Sequence, residues 1–189
     1  MGQEPHPLQL VSLSHSTTME NAVAVEREIP DSHVTCIADQ FCQTAELLFH
    51  SVPTIEAPHA LRCNAVFAIE LYIKSLNCHW VPHNQLETLG VDCDATTTKP
   101  NIRGHKLDKL FDSLDSAAQR HLSSCFASHR LSQKYPGLHP ILAEYSDNFA
   151  TDRYIFESLA DDPRHPISET VELAVFFRGT INAITAVRT

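Results

Sequence analysis

Glu70 and Lys74 stand four residues apart in the stretch Ala68-Ile69-Glu70-Leu71-Tyr72-Ile73-Lys74-Ser75-Leu76. In a helix that spacing puts both side chains on one face at ion-pair distance. Glu70 falls about 100° round the wheel from Ile69, so it borders an apolar face, and a partly buried carboxylate there needs further partners. His105 and Arg153, from other segments, are the candidates. His105 follows Gly104 at the start of a helical pattern, and Lys99, Arg103, Lys106 and Lys109 gather around it in an otherwise acidic chain. A helix N-terminus with free amides and nearby cations can seat a phosphate or a carboxylate. Farther along, a wheel centred on Tyr145 puts Asp152 about 20° from the apolar centre and Arg153 about 80° away. A carboxylate aimed at a core must be paired or hydrogen-bonded, so Asn148, Asp152 and Arg153 are expected in a polar cluster inside the bundle or at a subunit interface. Should Glu70, His105 and Arg153 converge, His105 would act as general base or acid and Arg153 would bind a phosphate. Each feature also has a purely structural reading: a surface ion pair, a helix-capping histidine and a packing network.

Other chemistries find less support. The stretch Cys78, His79, His83, Asp92, Cys93, Asp94 is dense in metal-ligating types, but its spacing matches no zinc pattern, and no metal is expected. The six cysteines, Cys36, Cys42, Cys63, Cys78, Cys93 and Cys125, include no Cys-x-x-Cys pair. They read as reduced thiols of a cytosolic protein. Neither a glycine-rich phosphate loop nor a Gly-x-Ser-x-Gly elbow occurs, so no cofactor is expected. With 14 Lys plus Arg against 23 Asp plus Glu, the formal charge of −9 disfavours a polyanion grip spread over the whole surface and leaves room for a local basic site.

The elements that must position these residues are helical. Only five glycines occur, and no alternating run bounded by turn signals is found, so a sheet-based fold is disfavoured. Residues 1–30, with Pro5, Pro7 and Pro30, read as a flexible N-terminal tail without a secretory signal. Residues 31–189 read as one domain. Val34, Ala38, Phe41, Ala45 and Leu48 recur at helical spacing over 31–52, behind an Asp31 or Ser32 cap. Pro53 ends that helix, and a second opens near Pro58 with Leu61, Ala65, Ile69, Tyr72, Ile73 and Leu76 on one side. Residues 79–104 lack periodicity and read as a long loop. Short helices are expected over 105–114 and 116–131, then longer ones over 140–159 and 167–187. The apolar stretch 65–76 is too short and too interrupted to span a bilayer, so no membrane association is expected. The resulting class is all-α: an irregular antiparallel bundle of four long helices plus short extra helices.

Three ordered stretches resemble the HEPN (higher eukaryote and prokaryote nucleotide-binding) family. Residues 68–76 are similar to its Glu-Leu-x-Leu-Lys helix. Gly104-His105-Lys106-Leu107 is similar to its Gly-His-x-Leu helix start, and Arg153-Tyr154-Ile155-Phe156-Glu157 to an Arg-Tyr-x-x-Glu segment on a later helix. The resemblance implies a stand-alone helical domain that pairs as a homodimer. The family includes ribonuclease toxins of toxin–antitoxin systems, antiviral defence proteins and non-catalytic binding versions. Its ribonucleases carry an Arg followed by His after four to six residues on a late helix. Here the one such spacing, Arg27 to His33, spans Pro30 before the bundle, a departure that bears directly on ribonuclease activity.

Two functional readings follow. In one, a cytoplasmic dimer binds or cleaves RNA, or takes another phosphate-bearing ligand, in RNA processing or defence without a metal. Glu70, His105 and Arg153 are its catalytic candidates, and Arg103, Gly104, Lys106, Lys109, Lys74, Tyr154, Glu157 and Asp152 its ligand-binding ones. In the other, the same residues serve packing, and the bundle binds a protein partner or a small anionic ligand.

Overall fold

The computed structural model describes residues 29–51, 57–82, 96–146 and 166–186. Helix α1 spans Ser32–Ser51 and α2 spans Pro58–Ser75. Asp31 caps α1: its Oδ1 accepts the Val34 N–H at 3.1 Å, as the sequence leads one to expect. Pro58 opens α2, where its missing N–H costs no hydrogen bond. The two helices form an antiparallel hairpin, with the Asp31 N–H donating to Ser75 O at 2.9 Å. The expected face of α2, from Leu61 to Leu76, is buried as read.

Residues 79–104 do not form a simple loop. Two strands stand at its edges, β1 (Cys78–Pro82) and β2 (Thr96–Pro100), paired antiparallel with Cys78 opposite Pro100 and Pro82 opposite Thr96. Trp80, Val81 and the Thr96-Thr97-Thr98 run have the β-branched and aromatic types that favour a strand. The signal escapes a search for tight hairpins because the strands are separated by residues 83–95, which lie outside the described residues. The hairpin is fastened to the bundle. Thr98 Oγ1 donates to Asp31 Oδ2 at 3.0 Å, and Asn101 N–H donates to Asn77 O at 2.9 Å.

Helix α3 (Leu107–Asp112) buries Leu107, Leu110 and Phe111, and α4 (Ser116–Ala127) buries Leu122 and Phe126. The Asp115 carboxylate caps α4, accepting the N–H groups of Ala117 and Ala118 at 2.8 Å. The expected helix over 116–131 is interrupted at Ser128, and a 3₁₀ turn (Arg130–Gln133) follows. Helix α5 (Leu138–Tyr145) buries Leu138, Ile141, Leu142 and Tyr145. The rest of the expected 140–159 helix, with Phe149 and Phe156, lies outside the described residues. Helix α6 (Ile167–Ala186) packs on both α1 and α2, sending Leu173, Phe177 and Ile181 into the core. The described protein is therefore mostly helical, with one two-stranded sheet. Among the described residues no helix is long and apolar enough to cross a membrane.

Candidate functional site

Glu70 sits in the fourth turn of α2 with its side chain 1% exposed. Neighbouring Ile69 and Ile73 are fully buried, which pulls this face of the helix, and the carboxylate with it, against the body of the protein. The charge is matched by two cation-capable side chains. Lys74 Nζ donates to Glu70 Oε1 at 2.5 Å from the next turn of the same helix. His105 Nδ1 reaches across from the β2–α3 connection, 3.1 Å from Oε1 and 3.0 Å from Oε2. An ionised carboxylate only accepts, so Nδ1 carries the hydrogen, and the ring is fixed with Nε2 on its outer edge. The His105 side chain remains 58% exposed while Lys74 is 12% exposed. A buried acid thus aims an accessible imidazole.

The turn that delivers His105 depends on Gly104, whose φ of +103° lies in the left-handed region that favours glycine. Around it, Lys99, Arg103 and Lys106 are exposed. Lys109 is exposed as well, but its Nζ lies 3.6 Å from Asp108 Oδ2 and 3.4 Å from Asp112 Oδ2, so acidic neighbours on α3 offset its charge.

The amides at the start of α3, where the sequence suggests a phosphate seat, are partly engaged within the protein. Helix α3 begins at Leu107, two residues beyond His105, with Lys106 as its cap residue. The Asp108 N–H, in the first turn, donates to Ser146 Oγ at 3.1 Å. Ser146 Oγ in turn lies 2.6 Å from Asp108 Oδ1. Burial pushes the Asp108 carboxyl up, but the Ser146 hydroxyl and Lys109 outweigh it and hold the group below the usual carboxylate range. This contact ties the start of α3 to the end of α5. Beside it, the exposed side chains of Lys99, Arg103 and Lys106 are the cations the site offers an anion.

The structure therefore brings together Glu70, Lys74 and His105, with Arg103, Gly104 and Lys106 beside them in sequence. Asp152, Arg153, Tyr154 and Glu157 lie outside the described residues, as does Asn148. Among the described residues, clefts of about 540, 490 and 380 Å³ open elsewhere, and neither Glu70 nor His105 lines these three. No group of three or more metal-ligating side chains occurs among the described residues.

Sequence reasoning missed two further polar clusters. Between α1, α2 and α6, Tyr72 donates to Asp39 Oδ1 at 2.5 Å, and Arg178 Nη1 to Glu46 Oε2 at 2.5 Å, around the buried Cys42. Burial pushes the Cys42 thiol up to about 11, against the opposing pull of Arg178, and burial followed by the Asp39 hydrogen bond raises the Tyr72 phenol. At the start of α6, Glu169 accepts from Lys134 at 2.8 Å and from Tyr135 at 2.7 Å, while Arg130 makes a two-pronged contact with Glu172. These pairs span 33 to 132 positions, so no local spacing marks them.

In comparisons with known proteins, the chain matches no family model, no curated protein and no solved structure.

Proposed function

We propose that this chain is a HEPN-like RNA-binding domain in which His105, held by Glu70, faces RNA phosphates among the cations of residues 99–106. The observation that carries the reading is the buried Glu70 carboxylate behind an imidazole that stays accessible. A carboxylate on Nδ1 fixes the tautomer whose Nε2 can accept a proton, the arrangement that general acid–base chemistry uses. Cleavage through the RNA 2′-hydroxyl would require His105 to take that hydroxyl's proton as the 2′-oxygen bonds to phosphorus and the P–O5′ bond breaks, the departing 5′-oxygen taking a proton from water, while Arg103 and Lys106 offset the charge that grows on the phosphate. In this reading Arg153 adds a phosphate contact from the later helix, with Asp152, Tyr154 and Glu157 supporting it. A homodimer of four-long-helix bundles then forms the RNA cleft, and RNA processing or defence is the biological setting.

The test is binding of a fluorescent single-stranded RNA by the native chain, His105→Ala and the double variant Arg103→Ala/Lys106→Ala. Native protein is expected to bind. The double variant should bind at least tenfold more weakly, with a log–log salt slope shallower by about 1.4, the loss of two phosphate contacts to a single strand. Well-folded native protein that binds no RNA refutes the proposal.

A specific observation favours a second reading, a non-catalytic module for a protein partner or a small anion. The Glu70 cluster is mutually satisfied and lines none of the three clefts. RNA-silent protein that retains its fold would support that reading.

A further inference from the structure

The cleft of about 540 Å³ runs along α6 at the far end of α1 from His105 and has a different chemistry. Its floor is the α6 stripe Ser168, Glu172, Val175 and Gly179. The last turns of α1, with Glu46, Phe49 and His50, form one wall, and His129 and Arg130 stand on the other side. The size suits a small molecule, and walls that are largely apolar with a few polar groups are the usual make-up of such sites.

Two observations point to an occupant. First, Gly179 lies inside a long helix, where glycine is disfavoured relative to alanine. Nothing stands within 4 Å of where its Cβ would be, so no neighbour demands glycine, and the missing side chain keeps the floor open. Second, the donors and acceptors are unequally used. Arg130 turns both Nε and Nη2 to Glu172, and Arg178 reaches Glu46 through Oε2 alone. Oε1 of Glu46, a side chain 29% exposed, keeps its accepting capacity. The rings of Phe49 and Phe176 line the same space, and aromatic faces attract cations.

We infer that this cleft binds a small organic cation, a primary ammonium carried on an apolar body the size of one ring. The ammonium donates to Glu46 Oε1, and the apolar body lies over Val175 and Gly179 against Phe49 and Phe176. This site is separate from the Glu70–His105 cluster and stands whether or not the chain binds RNA.

Isothermal titration of the full chain with 2-phenylethylammonium, 2-phenylethanol and phenylacetate tests it, because the three share a ring and differ in charge. The cation should bind saturably, the alcohol at least tenfold more weakly, and phenylacetate more weakly again. Glu46→Gln should weaken the cation about tenfold. Since that change also removes the charge facing Arg178, Gly179→Leu is the second variant: its Cβ meets no neighbour within 4 Å, and its side chain on the floor of the cleft should abolish binding while the protein stays folded. Equal affinity for the three probes, no saturable binding by folded native protein, or undiminished binding by Gly179→Leu would each overturn the inference.

Discussion

Glu70 holds a carboxylate that is 1% exposed between Lys74 and His105, so its removal leaves Lys74, itself only 12% exposed, without its counter-charge. Breaking a buried pair in this way costs on the order of 3 kcal/mol. Glu70→Ala is therefore expected to lower the urea midpoint clearly, and Glu70→Gln, which keeps hydrogen-bonding atoms, to lower it by about half as much; equal stability of all three proteins would show that the pair contributes nothing. The buried acids of the two other clusters set a pH limit. Cys42 is raised from 9.0 to about 11 and Tyr135 from 10.0 to about 12, each mainly by burial. A raised acid stays protonated in the folded chain after its unfolded counterpart has ionised, so its contribution is full below the unfolded value and is lost as pH climbs through the folded one. Stability measured by urea titration should accordingly fall between about pH 9 and 12, with Cys42→Ala flattening the lower part of that fall. The Glu70–His105 contact was legible in the sequence because a carboxylate at the border of an apolar face demands partners. The contact of Arg130 with Glu172 was not legible, since it joins residues 42 positions apart that belong to no shared pattern.

Helices announced themselves wherever apolar spacing and a cap agreed. Helices α1, α2 and α6 fall within a residue or two of their expected bounds, because a full apolar face, Asp31 and Pro58 leave little freedom. The strands β1 and β2 were not legible, since their pairing is decided by contacts such as Thr98 with Asp31 rather than by a turn. Asp31 is thus asked to do two things, capping α1 and anchoring β2, while 4% exposed. Asp31→Ala should cost about 2 kcal/mol, the upper end for a lost cap, and hydrogen exchange should speed up in both the first turn of α1 and β2. Protection lost in α1 alone would contradict the anchoring role. The β2–α3 connection carries the second elemental test. Gly104 has φ of +103°, so Gly104→Ala should cost about 1 kcal/mol and turn His105 away from Glu70. The chemical shifts of the His105 ring should then no longer respond to Glu70→Gln, whereas an unchanged response would mean that the turn does not position the ring.

Across the whole molecule, a chain of formal charge −9 presents three exposed cations, Lys99, Arg103 and Lys106, next to His105, and any polyanion must find that strip against a repulsive field. Binding should therefore be steeply salt-dependent, and a homodimer, by doubling the strip, should bind a long RNA more tightly than a short one. RNA binding is decided by anisotropy at two salt concentrations on native protein, His105→Ala and Arg103→Ala/Lys106→Ala, each shown to be folded. The expected result is native binding that weakens with salt, a tenfold or greater loss with a shallower slope for the double variant, and loss of any RNA cleavage with His105→Ala. Native protein that binds no RNA at either salt, or a double variant indistinguishable from it, would contradict an RNA-binding role for the strip beside His105.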